Sequence, residues 1–413
     1  MPTVRFLHLA DVHLDTPFHG REQELRRRLR DACRAAFDAA VDAAVQRQVH
    51  AVLVAGDLFD NDRLSFATEQ FLLEAMGRLR AAGIDVFYAT GNHDPGRRND
   101  RASQLEWPDN VHLIRSTKPQ TLAVNGDDGK PIAWVTAAGH ASARESENLA
   151  ASFGSARTDL PHIAMLHAQV ESAAGAAAHD RYAPCTCKDL AAGGFDYWAL
   201  GHIHGRGRAC DDAPAWYPGN IQGRHPRETG PKGALYVEVE KGVEPKPQFL
   251  SLAPIVWDTF HLDCPQEART LDALTQTVAA NLRSSVPFDD GREHLIRVEL
   301  AGQSPLVAEL ADPENQDFLG RTLGGMLERS LVEIRTGQLV RPIDVGRYRG
   351  TATVLGEALT LLAQMEHDDE LLRRLGPQPP AAADVGDEVA YLRGLLDGLD
   401  VRAAAALVPE AER

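Results

Sequence analysis

Cysteine is scarce in this chain: Cys33, Cys185, Cys187, Cys210 and Cys264 are the only five in 413 residues, and none forms a Cys-x-x-Cys pair. An odd, scattered set argues against a disulfide framework and a zinc ribbon, and fits a reducing compartment. Long apolar runs are also lacking. Nowhere do ~18 apolar residues follow one another, and the N-terminus runs directly into a strand-like segment, which reads as a soluble cytoplasmic protein without a membrane partner. Positive charge is in deficit: 43 Lys and Arg against 59 Asp and Glu leave a net charge of −16. That sign excludes coating nucleic acid by bulk charge, so a phosphate-rich ligand needs a local site. What is present is ordinary globular composition, 44% hydrophobic and 25% charged, in a chain long enough for two or three domains.

Short apolar runs alternate with amphipathic ones through the first ~200 residues, the pattern of a layered α/β fold. Strands are expected at Val4 to Leu9, Ala51 to Ala55, Val86 to Ala89, Ile132 to Thr136, Ile163 to Leu166 and Tyr197 to Leu200. Leu25, Leu29, Cys33, Phe37, Val41 and Val45 recur every four residues and mark one face of a helix. A second helix is expected around Ala67 to Ala82. From about Ala234 the texture changes to alternating segments, with a strand pair, a helix near Leu271 to Leu282 and strands at Leu295 to Leu300 and Leu331 to Ile334. The expected architecture is α/β: a layered β-sandwich flanked by helices over 1–254, a small α+β capping domain over 255–340 and a helical tail over 341–413. The tail carries an apolar stripe that would pack on its own domain or on a partner.

Five motifs gather at the expected strand ends: Asp11-Val12-His13, Gly56-Asp57-Leu58-Phe59-Asp60, Gly91-Asn92-His93-Asp94, His167 and Gly201-His202-Ile203-His204. Ligands in layered α/β folds bind beyond the carboxyl ends of strands, so these side chains should converge on one crevice. Carboxylates (Asp11, Asp57), imidazoles (His13, His167, His202, His204) and the Asn92 amide are the donors a pair of divalent cations needs. Nitrogen and hard oxygen without thiolate suits manganese, iron or zinc. A carboxylate can bridge cations ~3.5 to 4 Å apart, and Asp57 is the candidate bridge. Each motif alone has a bland reading: Asp-x-His by chance, Asn-His-Asp as a turn, Asp60 as a helix cap or a group behind the ligands, His167 as a satisfied core histidine. Their ordered joint occurrence favours one site. His140, which follows an expected strand, is the main rival of His167.

At these motifs the sequence resembles the calcineurin-like metallophosphoesterases, whose pattern runs D-x-H, G-D-x-x-D, G-N-H-D/E, H, G-H-x-H. Within them it is similar to SbcD-like and YhaO-type DNA repair exonucleases, through Phe6 to Phe18, His179 to Cys185, Asp196 to His204 and Tyr217 to Gly233. The resemblance implies that Asp11, His13, Asp57 and His204 hold one metal and Asp57, Asn92, His167 and His202 the other, with His93 as the catalytic histidine. It also implies a two-manganese nuclease working with an SbcC-like coiled-coil ATPase. Leu64 and Asp60 depart from the pattern of the repair nucleases, in the loop after Asp57.

The expected reaction is in-line hydrolysis of a DNA phosphodiester, with His93 stabilising charge or protonating the leaving oxygen and Asp94 orienting its ring. Arg97, Arg98 and Arg101, then Arg206 and Arg208, then Arg224 and Arg227 are the candidate DNA-phosphate contacts, with solvated surface arginines as the alternative. Two other functions stay open: hydrolysis of a small nucleotide or phosphodiester, and a DNA-binding or ATPase-scaffolding subunit with vestigial chemistry. Self-association into a homodimer also stays open.

Overall fold

The computed structural model describes residues 2–60, 64–96, 105–176, 180–377 and 388–408. The chain divides into two compact units, Met1–Val256 and Trp257–Arg413. In the first, β1 (Val4–Leu9), β2 (Ala51–Ala55), β3 (Asp85–Ala89) and β4 (Val111–Ile114) are joined through α1 (Gln23–Gln46) and α2 (Phe66–Ala81). They are followed by β5 (Gln120–Asn125), β6 (Pro131–Ala138), β7 (His162–His167), α3 (Cys187–Ala192), β8 (Tyr197–Gly201), β9 (Gly207–Arg208), β10 (Ala215–Tyr217), β11 (Gly233–Val239) and β12 (Gln248–Ser251).

Two six-stranded sheets result, in the orders β12-β11-β1-β2-β3-β4 and β5-β6-β7-β8-β10-β9. Phe6, Leu53 and Phe87 of the first pack with Val135, Met165 and Tyr197 of the second, so the sandwich core lies between the sheets. β2 is buried at every position, as a parallel strand covered on both faces requires. Helix α1 contacts β1 and α2 contacts β3, and α1 buries Leu29, Cys33, Phe37 and Val41 of the expected stripe. On the far side of the second sheet Trp198 and Leu200 pack with Phe153, Leu190 and Phe195. The parallel runs β1-β2-β3 and β6-β7-β8 matter most, because they bring the carboxyl ends of β1, β2 and β3 together, and likewise those of β7 and β8.

The second unit places β13 (Ile255–Asp263), β14 (Glu293–Gln303) and β15 (Ser330–Val340) in one sheet. Helices α4 (Leu271–Ser285), α5 (Val307–Leu310) and α6 (Pro313–Met326) complete its core, in which Leu274, Val278, Leu319 and Leu323 meet Ile296, Val298 and Ile334. The helical tail is α7 (Val354–Met365), α8 (Asp369–Leu375), α9 (Glu388–Gly394) and α10 (Leu399–Leu407). Leu355 and Leu359 of α7 pack with Ala404 and Val408, and α10 contacts β15, so the tail packs on its own unit. No helix among the described residues is long and apolar enough to cross a membrane.

One expectation is overturned. Cys187 and Cys210 form a disulfide, while Cys33, Cys185 and Cys264 are free and buried. Count and spacing gave no sign of it, because the pair is made by packing: α3 and the segment after β9 lie on the same outer face of the second sheet.

Candidate metal centre

The turns that follow the strands carry an unusual backbone. Asp11, His13, Asp57 and His202 all have positive φ, at 50°, 51°, 54° and 103°, a conformation that costs roughly 1–3 kcal/mol for a residue with a side chain. Main-chain bonds hold it: the amides of Asp11 and His13 donate to the carbonyls of Gly56 and Asp57 at 3.1 and 3.0 Å. The amide of His202 donates to the Asp11 carboxylate at 3.1 Å, and that of His93 to Asp57 Oδ1 at 2.9 Å. A β-carbon at Gly91 would collide with the Asp57 carboxylate, and Gly56, at φ 88°, is both left-handed and pressed against the His167 ring.

These turns bring the expected donors together. Nε2 of His13 lies 3.3 Å from Nε2 of His204, and Asp11 Oδ1 lies 3.9 and 3.7 Å from those two nitrogens. Asp57 Oδ2 is 3.7 Å from His13 Nε2 and 3.4 Å from His167 Nε2, within reach of both groups. Asn92 Oδ1 is 2.9 Å from His167 Nε2, and the His202 ring stands 5.3 Å from that of His167. Asp11, His13 and His204 form one set with cation-ligand spacing, and Asp11, Asp57 and His167 another. His13, Asp57 and His93 form a third, but His93 already engages Asp60 through Nδ1.

Three imidazoles have their outer nitrogen committed, which fixes the one they present. His167 donates through Nδ1 to the Ala55 carbonyl at 2.8 Å and His202 through Nε2 to the Asp180 carbonyl at 2.8 Å. His204 donates through Nδ1 to Glu228 Oε1 at 2.6 Å. His140 stands behind the site, donating to the main-chain carbonyl of His167 at 2.7 Å, and is not among the converging donors.

Charge balance tests whether cations fit. Burial pushes the Asp11 carboxyl up to about 7, against the opposing pull of His167. Burial likewise pushes His13 and His204 down to about 4 and 3, so both are neutral. Burial would lower His167 too, but the Asp57 carboxylate outweighs it and raises that ring to about 9. Without cations, the buried Asp11 and Asp57 carboxylates draw a proton onto His167 and are answered more weakly by Arg224 and His93, while His13 and His204 stay neutral, so the centre is short of positive charge. Divalent cations supply that missing charge, so the donor set fits them.

The ring of His93 is held differently from expectation. Asp94 turns away from it: its oxygens accept from the amides of Asp57 and Gly91 at 3.1 and 2.6 Å, from the amide of Leu58 at 2.6 Å and from the Tyr88 hydroxyl at 2.5 Å. Asp94 therefore ties the β2 and β3 turns together, and the expectation that it orients His93 is corrected. Asp60 Oδ1 takes that place, 2.5 Å from His93 Nδ1. Burial would lower the His93 pKa, but the bond to Asp60 overrides it and raises the value.

A cavity of about 490 Å³ opens over these groups, lined by Asp57, Asn92, His93, His202, His204 and Arg224 among others. Of the expected DNA contacts among the described residues, Arg224 alone lines it, with Nη1 3.6 Å from Asp60 Oδ2. Arg206 stacks its guanidinium 3.7 Å over Phe249, Arg208 pairs with Glu244 and with main-chain carbonyls, and Arg227 is exposed. Arg97, Arg98 and Arg101 lie outside the described residues. Sequence reasoning missed Glu228, Asp180, Arg144 and Tyr182, the last three also lining the cavity. They sit in irregular loops, and the available signals were two of the phrases that carry the family resemblance, His179 to Cys185 with Asp180 and Tyr182, and Tyr217 to Gly233 with Glu228.

Residues 4–206 match the model of the calcineurin-like phosphoesterases. The chain is 36% identical over 308 residues to an uncharacterized metallophosphoesterase, YhaO, of Bacillus subtilis, covering 73% of this chain and 72% of that one. The chain belongs to the calcineurin-like phosphoesterase family. Similarity to two further relatives is shorter. It is 35% identity over 106 residues to the DNA double-strand break repair protein Mre11 of Aeropyrum pernix, 25% of this chain and 24% of that one. A subunit of the nuclease SbcCD of Rhodobacter capsulatus matches at 32% over 115 residues, 27% of this chain and 26% of its own. Membership makes the chain a metal-dependent phosphoester hydrolase, and its converging donors suit divalent metals.

Proposed function

We propose that this phosphoesterase is a two-metal DNA nuclease, with manganese as its metal and a phosphodiester at a DNA end or strand as its substrate. The observation that carries the reading is the position of Asp57 Oδ2, 3.7 Å from His13 Nε2 and 3.4 Å from His167 Nε2, one oxygen shared by two donor groups. Asp11, His13, Asp57 and His204 would hold one cation, and Asp57, Asn92, His167 and His202 the other. When bound, the cations supply charge neutralisation at phosphorus and acidify water.

This chain's own residues do the rest. Arg224, seated on the cavity rim, receives a phosphate oxygen. His93, whose pKa the Asp60 carboxylate raises through Nδ1, lines the cavity. As the water oxygen bonds to phosphorus, releasing a proton to solvent, and the phosphorus–oxygen bond of the leaving group breaks, His93 passes its proton to the departing oxygen and regains one from solvent. The nuclease relatives support DNA as substrate, and by the same likeness an SbcC-like coiled-coil ATPase is the proposed partner. A second reading, hydrolysis of a small nucleotide or aryl phosphodiester, is favoured by the size of the cavity, about 490 Å³. The third, a scaffolding subunit with disused chemistry, has the intact donor set against it.

The test is manganese-dependent digestion of linear and circular DNA beside a small aryl phosphodiester, with Asp57→Ala as control. Cleavage of DNA that vanishes in Asp57→Ala supports the nuclease. Turnover of the aryl ester alone replaces it with the small-substrate reading, and turnover of neither leaves the scaffold.

A further inference from the structure

Glu228 is a carboxylate with four committed contacts and no access to substrate. It is 7% exposed. Oε1 accepts from His204 Nδ1 at 2.6 Å and faces His225 Nε2 at 3.2 Å. Oε2 accepts from the Asn220 side-chain amide at 2.9 Å and from the main-chain amide of Arg224 at 2.6 Å. Nε of Arg224 is 3.9 Å from Oε1. One side chain thus fixes an imidazole that faces the metal centre and the arginine that reaches the cavity beside it.

The polarity of these bonds constrains the imidazole. While Nδ1–H donates to Glu228, His204 Nε2 must carry its lone pair, and that lone pair faces Asp11 Oδ1 at 3.7 Å and His13 Nε2 at 3.3 Å. Rotation or tautomer exchange would break a short charge-assisted bond to a carboxylate that is itself buried. Arg224 depends on the same group: its main-chain bond to Oε2 sets where its side chain leaves the loop, and its Nη1 then lies 3.6 Å from Asp60.

We propose that Glu228 is a positioning residue of this centre, holding His204 in the tautomer that binds a cation and seating Arg224 to meet the phosphate. The inference rests on the two-metal reading and adds a residue to it. Glutamine at this position cannot replace the carboxylate. Its oxygen can accept from His204, but its NH2 then faces two donors, Asn220 Nδ2 and the Arg224 amide.

The test is calorimetric titration of the metal-free full chain with Mn2+, read without substrate. In Glu228→Gln one of two sites should weaken by roughly 10- to 100-fold while the other is unchanged. With manganese saturating, KM for an aryl phosphodiester should rise more than kcat falls, because Arg224 is displaced. Melting in EDTA reports any loss of fold separately. In His204→Asn the second change, Glu228→Gln, should add no further loss of affinity, since the carboxylate acts through that ring. If Glu228→Gln does not fold, Glu228→Asp, which keeps the charge but withdraws it by one methylene, is titrated in its place. Wild-type affinity at both sites in the folded variant, or losses that add in the double variant, would overturn the proposal. A wild-type chain that binds no manganese would instead overturn the two-metal reading.

Discussion

Asp60 and His93 pair closely beside the cavity, with carboxylate oxygen and ring nitrogen 2.5 Å apart and the histidine side chain 40% exposed. The pairing reverses the roles that adjacency in sequence would assign, since Asp94 follows His93 directly yet serves the turns behind it.

Asp60→Asn should lower kcat by roughly 10- to 100-fold, no more than the low end of the roughly 10²- to 10⁴-fold attributed to a positioned acid or base itself. Asp60 raises the His93 pKa against burial, so its removal should shift the alkaline limb of the pH–rate profile to lower pH. Asp94→Asn should leave that limb in place and destabilise the fold by about 1–3 kcal/mol, because buried amides lose their acceptor. A limb that moves in Asp94→Asn and stays in Asp60→Asn would reverse the assignment.

The disulfide makes a chemical prediction. Unfolded without reductant, the chain should titrate three thiols, those of Cys33, Cys185 and Cys264, and two more after reduction. The bond closes a loop of sequence separation 23 that contains His202 and His204. On the chain-entropy model such a loop contributes about 3 kcal/mol, so the Cys187→Ser and Cys210→Ser double variant should melt several degrees lower. Five thiols in the unreduced chain would show that the pair does not form.

Stability should fall with acid even where no metal is bound. Burial pushes His8 down to about 3, against the bond it donates to the Leu200 carbonyl, and burial with Lys241 pushes His162 down to about 4. Unfolded, both titrate near 6.5. From about pH 6.5 down to about 4 for His162 and about 3 for His8 the unfolded chain therefore binds more protons, so stability is full above that window and declines as pH falls through it. Melting in EDTA at stepped pH measures the slope, which His8→Gln should flatten by up to one proton. An unchanged slope would mean that His8 is not neutral in the fold.

Much of the core and all five motif turns were legible in the sequence because both signals are local. β1, β2, β3, β7 and β8 are apolar runs that end at a polar motif, and α1 carries its burial pattern in its own spacing. Elements without that contrast went unread: β5 begins with two exposed residues, and α6 buries only Leu319, Gly320 and Leu323 over its 14 residues. The partners of the motif residues were hidden for a different reason. Glu228 lies 24 residues from His204 in sequence and Cys210 23 from Cys187, and neither distance leaves a periodic trace. Of the expected arginines, Arg224 is placed by a loop contact that no charge count could reveal.

The amide of His202 is donated to Asp11, and that of His93 to Asp57. Each carboxylate is thus gripped by an atom that all residue types except proline possess. Scanning mutagenesis, which swaps one side chain for another, is blind to this grip and would count those positions by their rings alone. Replacing the peptide nitrogen by an ester oxygen there would uncover a dependence that homologous sequences, however many were compared, could never display.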